Sequence, residues 1–343
     1  MTQQLVLRGH KVTIVCRPNS WIKKQQLDVQ FVDSSLARFP IGELRKIAKL
    51  VRLQKIDLVH THMTRAHSFG TLLKLLAPRI PVVKSAHSRS VQLHWRFSEF
   101  VIANSEATCN FHVTRNGVPQ RKIQTVHCFI DTEKFQRVSQ RDSRRVRRQL
   151  KWDNGEFLVG VVGEVTKRKG QEYLVKALPA LIRAIPNLRI VMVGRFSDHN
   201  PYVKQIRRYL SENGLEHTTQ LIGIRDNVED FLTAMDVSIV PSLEEPLGLV
   251  AIESQAIGTP VIVSETGGLT EVVDEAMTGL VVPMRDPEAI ARAIIKVSKD
   301  TNLQRRLSFR GKEHVAERFA PDVLVPQVES VYAKVINRRS KAA

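Results

Sequence analysis

Pro241-Ser-Leu-Glu-Glu-Pro-Leu-Gly-Leu-Val-Ala-Ile-Glu253-Ser-Gln-Ala-Ile-Gly-Thr-Pro-Val-Ile262 is the stretch from which the fold is read. Between Leu249 and Ile257 the apolar residues recur at helical spacing, Gly258 supplies a C-terminal stop, and 260–264 reads as a buried strand. Pro246 and Gly248 keep Glu245 in the loop ahead of the helix, whereas Glu253 falls about one turn inside it. The backbone N–H groups of Leu247, Gly248 and Leu249 then point out of the helix start, a place suited to an anion such as a diphosphate. A carboxylate beside such a nest calls for hydroxyls, not phosphate. Together these features suit a nucleotide-sugar, with its phosphates at the helix end, one Glu on sugar hydroxyls and the other on ribose hydroxyls. The plainer alternative, for two Glu at this spacing alone, is an exposed helix with two solvated acids.

Outward from this stretch, the composition is that of a globular protein: 343 residues, 43% hydrophobic and 25% charged, enough for two domains. There is no run of 18 apolar residues, and the amino terminus has neither the apolar core nor the cleavage site of a signal peptide, so a cytoplasmic protein is expected. Cys16, Cys109 and Cys128 are widely spaced and form no CxxC pair, which fits reduced packing thiols and argues against zinc. The net charge of +18 is uneven. Residues 1–150 hold 27 Lys and Arg against 9 Asp and Glu, and residues 151–343 hold 25 against 25. A basic half fits nucleic acid, an anionic membrane or an acidic substrate. No helix-turn-helix, zinc-finger spacing or aromatic RNP-type strand is present to read bases, so nucleic acid is set aside.

Short apolar strands alternate with helical stretches, the pattern of parallel βα units in an α/β protein. Strands are expected at 11–16, 29–33, 57–62, 81–87, 100–105 and 122–127, then at 157–163, 189–194, 220–223, 237–242, 260–264 and 279–283. They make two Rossmann-like, doubly wound domains. The basic run 141–151 reads as a linker entering a solvated helix, and places the domains at 1–140 and 141–320, with a C-terminal helix and basic tail at 321–343. No low-complexity segment or short repeat appears. A wound domain normally opens with a strand, a glycine-rich turn and a helix; here residues 5–9 already read as the end of that helix, so the first strand and turn are expected to be lacking.

Several motifs in register carry a family resemblance: Arg8-Gly-His-Lys-Val-Thr-Ile-Val, Asp57-Leu-Val-His-Thr-His, Val83-Lys-Ser-Ala-His87, Ala103-Asn-Ser, Ile130-Asp131 with Phe135, Val162-Gly163 with Lys169-Gly170, Gly223, Asp236-Val with Pro241-Ser242, the Glu245 to Glu253 motif, and Gly267-Gly268 with Glu271. The chain resembles family 4 of the retaining glycosyltransferases, the group 1 glycosyl transferases. The resemblance implies the glycosyltransferase-B fold, two Rossmann-like domains facing a cleft, with the donor on the second domain and the acceptor on the first. It further implies Lys169 on the diphosphate leaving group, where C1–O cleavage builds negative charge; Glu245 on the transferred sugar; Glu253 on the ribose; and His87 facing the cleft and the donor sugar. Lys169 also reads as a surface lysine, and His87 as a satisfied core histidine. His60 and His62 share one strand face and either border the cleft or pack; no carboxylate or Cys completes a metal site with them. Gly267 and Gly268 precede an expected helix at 269–275 and bring backbone close to a ligand, or form a plain βα turn.

Three departures from the family pattern stand out. The first glycine-rich loop is absent from this sequence. Glu164 follows Gly163 where an Arg is usual, leaving Lys167 or Arg168 to compensate near a diphosphate. Cys128-Phe129 replaces an expected Asn-Gly. The activity expected is transfer of a hexose, with retention, from a nucleotide-sugar to a cell-surface polysaccharide, lipopolysaccharide or glycolipid, with no cofactor and no essential metal. The rivals are a binding protein of the same fold with an impaired site, and a nucleotide-sugar epimerase. The helix expected at 41–55 gathers Leu44, Ile47, Ala48 and Val51 on one face and Arg45, Lys46, Lys49 and Arg52 on the other. This is the form of an interfacial helix, or of a core-packed helix with a solvated basic face. An interfacial helix would place the protein peripherally on the inner face of the cytoplasmic membrane.

Overall fold

The computed structural model describes residues 1–37, 41–138, 140–152 and 155–340. Its two compact units are Met1–His127 with Pro321–Ala343, and Cys128–Ala320.

In the first unit the strands are β1 (Thr13–Cys16), β2 (Gln30–Asp33), β3 (Val59–His62), β4 (Val82–Ala86), β5 (Phe100–Ala103) and β6 (Ile123–Thr125). The second holds β7 (Phe157–Val162), β8 (Leu188–Val193), β9 (Thr219–Leu221), β10 (Val237–Val240), β11 (Val261–Ser264) and β12 (Leu280–Val282). All twelve overlap expected strands, and every pairing is parallel. Strands such as Val-Ser-Ile-Val and Val-Ile-Val-Ser are buried along their whole length, as parallel strands covered by helices on both faces must be.

The second unit is one six-stranded sheet in the order β12-β11-β10-β7-β8-β9. Its core joins Val159, Ile190, Met192 and Ile239 of the sheet to Leu174, Leu178 and Leu181 on one helix and Ile290, Ile294 and Val297 on another. Winding runs outward from β7 in one direction and from β10 in the other. The order therefore switches between these neighbours, and the loops leaving their C-terminal ends diverge to leave a crevice, the place where open α/β sheets bind ligands.

In the first unit the strands form two sheets, β1-β2 and β3-β4-β5-β6, where one wound sheet was expected. Helix Ile41–Leu53 buries Leu44, Ile47, Ala48 and Val51 in a core with Phe69, Leu73 and Val82. Each large apolar side chain so buried contributes about 1.5–3 kcal/mol. The apolar stripe is thus spent inside the unit, and the interfacial reading loses its membrane-inserting face; Arg45, Lys46, Lys49 and Arg52 remain exposed.

Two expected boundaries move. Helix Pro321–Ser340 belongs to the first unit: Glu329 receives Arg8 Nε at 2.9 Å and lies 2.8 Å from His10 Nε2, and Tyr332 Oη lies 2.6 Å from His60 Nδ1. The last residues of the expected tail, 341–343, lie outside the described residues. The other boundary falls at His127/Cys128, ahead of 140/141, because the basic run is docked rather than solvated. In helix Gln140–Gln149, Arg147 is only 7% exposed. Its guanidinium donates to Ala234 O at 2.8 and 3.1 Å, to Glu156 O at 2.7 Å and to Asp236 at 2.8 Å. Arg145 adds an ion pair with Asp230 at 2.5 Å. A planar fork with five donors can be satisfied by carbonyls inside a fold, which composition alone does not reveal.

No helix among the described residues is long and apolar enough to cross a membrane. Cys16 and Cys109 are buried and Cys128 half-buried, and none of the three is in a disulfide.

Candidate active site

The loops after β7 and β10 meet at the switch point. After β7 the chain turns at Gly163 and makes a single 3-10 turn, Lys167–Lys169, before Gly170 opens helix Gln171–Ala184. A Cβ at Gly170 would stand 2.0 Å from Pro241 O, so only glycine lets these loops touch. A backbone hydrogen bond from Leu243 N to Arg168 O at 2.8 Å and a side-chain one from Arg168 Nη1 to Glu244 O at 2.9 Å lock them together.

The expected phosphate and sugar residues come into direct contact here. Lys169 Nζ lies 2.5 Å from Glu245 Oε2, with side chains 16% and 11% exposed. Ser242, fully buried, donates its hydroxyl to the same oxygen at 3.1 Å. Helix Leu249–Ile257 follows with Gly248 as N-cap at φ +101° and no side-chain cap, so its positive end is left for a ligand. Gly258, at φ +92°, ends it as expected. Leu247 is buried and Leu249 is 43% exposed.

Glu253 sits in that helix, half-buried. Burial pushes its carboxyl above the usual range, Lys134 counters this, and Glu229 reinforces it. Lys134 and Glu229 pair at 3.0 Å. They border a charged groove of about 370 Å³ that also takes in Asp131, Arg137, Val138, Asp142 and Asp230.

Gly268 packs on the Glu245 loop: its N–H donates to Glu245 O at 3.0 Å, and a Cβ there would meet Pro246 O at 2.4 Å. This close approach accounts for the glycine without a ligand, while Gly267 takes φ +52° in the turn before it. The helix expected at 269–275 is only Leu269–Val272. Glu164 is compensated by Arg195, at 3.1 Å, rather than by Lys167 or Arg168. Arg168 is turned to the Glu244 carbonyl instead. The signal for Arg195 was legible, since it follows Gly194 at the end of β8 as Glu164 follows Gly163 at the end of β7. The partner roles of Ser242, Lys134 and Glu229 were not, because they depend on pairing between loops.

In the first unit His60, His62 and His87 gather at the ends of β3 and β4. The rings of His60 and His62 lie 4.3 Å apart on one face of β3, as strand alternation requires. Both nitrogens of His60 are engaged, Nδ1 with Tyr332 and Nε2 with Ser85 at 2.8 Å, so it packs. His62 and His87 are exposed and share a hydrogen bond of 3.1 Å. The segment after His87 is tied down from beneath. Lys84, 1% exposed on β4, donates to His94 O and Thr71 Oγ1, both at 2.8 Å. Asn116 donates to Ser90 O at 3.1 Å and accepts from Gln92 N at 2.9 Å, and His112 Nε2 donates to Ser88 O at 3.1 Å. Among the described residues no three His, Cys, Asp or Glu gather as a metal-binding group.

Comparison with known proteins matches residues 142–314 to the family Glycosyl transferases group 1 and residues 1–134 to Glycosyltransferase Family 4. A D-inositol 3-phosphate glycosyltransferase of Corynebacterium glutamicum (strain R) is 29% identical, the alignment covering 95% of this chain and 82% of that protein. The capsular polysaccharide biosynthesis glycosyltransferase CapM of Staphylococcus aureus is 25% identical over 85% of this chain and 81% of its own. Among solved structures, Anabaena Alr3699/HepE in complex with UDP-glucose superposes with a TM-score of 0.82 at 22% identity, covering 94% of this chain and 91% of that one.

Proposed function

Because the chain belongs to the group 1 glycosyl transferases, of family 4 type and glycosyltransferase-B fold, we propose that it transfers a hexose with retention from a nucleotide-sugar, using the second unit as donor site. The observation that carries this reading is the convergence of Lys169, Glu245 and the uncapped start of helix Leu249–Ile257 at the sheet's switch point. The diphosphate lies at the helix end and Lys169, Glu245 accepts hydrogen bonds from the sugar hydroxyls, and Glu253 from the ribose. The bond from C1 to the diphosphate oxygen breaks, and its electron pair leaves with the diphosphate. The acceptor hydroxyl oxygen bonds to C1 on the same face, and its proton passes to the departing phosphate oxygen. The charge that builds there is met by Lys169 and the helix dipole, so the reaction needs no metal. UDP-glucose in a structural neighbour supports a uridine donor.

The acceptor side is basic. Counted by unit, the first holds 24 Lys and Arg against 8 Asp and Glu, the second 28 against 26. An acidic glycan or glycolipid acceptor, or one at an anionic membrane face, fits this charge. CapM supports the polysaccharide class, and the inositol 3-phosphate enzyme an anionic acceptor.

A thermal-shift screen of UDP-, GDP- and ADP-sugars, followed by hydrolysis assays in EDTA, tests the proposal. One sugar nucleotide should stabilise the protein and turn over without metal. Glu253→Ala should weaken its binding about tenfold, the loss of roughly one charged hydrogen bond. No stabilisation by any of the three series would reject the donor site.

A further inference from the structure

The donor crevice is not an empty cationic cradle, for its lysine is already matched. Lys169 Nζ stands 2.5 Å from Glu245 Oε2, and both side chains are more than four-fifths buried. The nearby arginines are engaged elsewhere, Arg168 with the Glu244 carbonyl and Arg195 with Glu164. A diphosphate that takes Lys169 must take it from Glu245.

We propose that Glu245 is a resident counter-ion for Lys169, displaced by the sugar diphosphate in one exchange that recognises phosphate and sugar together. This rests on the donor reading above. The two partners are held unequally, and this sets the direction of the exchange. Glu245 is anchored three ways without Lys169: Ser242 donates to Oε2 at 3.1 Å, Gly268 N donates to its backbone carbonyl at 3.0 Å, and its loop is clamped to the β7 turn through Leu243 and Glu244. Lys169 has a flexible four-carbon stem that runs past Gly163. The lysine moves and the carboxylate stays.

A buried carboxylate stripped of its cation is unfavourable unless other donors replace it. A free nucleoside diphosphate offers Lys169 a phosphate but strands Glu245. A nucleotide-sugar supplies phosphate to Lys169 and hydroxyls to Glu245, and so completes the exchange. After the hexose has gone to the acceptor, Glu245 has lost its hydroxyls and reclaims Lys169, which favours release of the spent diphosphate. The pair thereby biases the crevice toward substrate over product.

Isothermal titration decides this, using whichever of UDP, GDP or ADP shifts the wild-type melting temperature most, alongside its glucose conjugate. Glu245→Gln keeps the size and removes the charge. It should bind the free diphosphate about tenfold tighter than wild type, a change of about 1.4 kcal/mol, and lose most of the preference for the sugar conjugate. In a Lys169→Ala background the same substitution should have no effect on diphosphate affinity, which isolates the coupling. Ser242→Ala, which leaves Glu245 more dependent on Lys169, should move diphosphate affinity the other way and serves if the glutamine variant fails to fold. If Lys169→Ala weakens diphosphate binding but Glu245→Gln leaves it unchanged or weaker, the exchange is wrong and the donor site stands. If Lys169→Ala has no effect, or neither the three diphosphates nor their glucose conjugates bind, the donor reading itself falls.

Discussion

Lys84 is a cation held almost out of water, and burial pushes its ammonium down to about 8. Two neutral oxygens, from Thr71 and the His94 backbone, accept from it. Because folding lowers its proton affinity, the unfolded chain binds more protons between about pH 8 and the ordinary lysine value near 10.5. Stability from this group therefore rises with pH through that window, by up to about 3 kcal/mol. The difference between wild-type and Lys84→Met denaturation midpoints should carry this rise, and a difference that stays flat from pH 7.5 to 10.5 would show that Lys84 titrates normally. At this scale the sequence spoke through motifs. The positions of Glu245 ahead of its helix and Glu253 inside it were legible because their loop and helix contexts are local, and so was the shared face of His60 and His62. The Lys169–Glu245 contact was not, since it joins residues 76 positions apart.

Among the elements, helix Leu249–Ile257 and helix Gln140–Gln149 behaved differently. The first has a glycine at each end and an apolar run between, so its bounds follow from chain chemistry alone. The second is mostly charged and reads as solvated, yet Arg147 fastens it to Ala234, Glu156 and Asp236. Replacing Arg147 by Met would remove the guanidinium that donates to the Ala234 and Glu156 carbonyls and leave the Asp236 carboxylate with Leu158 N alone among the described residues. Leaving a buried acceptor unpaired costs about 1–3 kcal/mol. Chemical denaturation should show the transition of Arg147→Met moved by that order, while Arg148→Met, on the exposed side of the same helix, should barely move it. Equal small effects would mean that the docked arrangement contributes little.

For the whole molecule, charge is the property that the units do not share, about +16 on the first and +2 on the second. With its apolar stripe in the core, helix Ile41–Leu53 offers a membrane only electrostatic attraction, from Arg45, Lys46, Lys49 and Arg52, each worth about 1 kcal/mol near an anionic surface. Vesicles containing phosphatidylglycerol should retain the protein at low salt and release it at high salt, as screening shortens the reach of these charges. Reversing the four residues to Glu should abolish retention without lowering the melting temperature. Retention by neutral vesicles, or an undiminished variant, would reject the surface role and leave an acidic soluble acceptor to explain the charge.

By itself the sequence determined the strand positions, the α/β class, the glycine-bounded helix Leu249–Ile257 and the unequal charge, because each depends on neighbours in the chain: hydrophobic period, turn residues and composition. Only the tertiary structure decided that the first unit holds two sheets, that Pro321–Ser340 returns to it, and that Lys169 rests on Glu245. These are pairings between loops and elements far apart in sequence. Their partners are chosen by which strand ends the winding of the sheet brings together, and no local pattern records that choice.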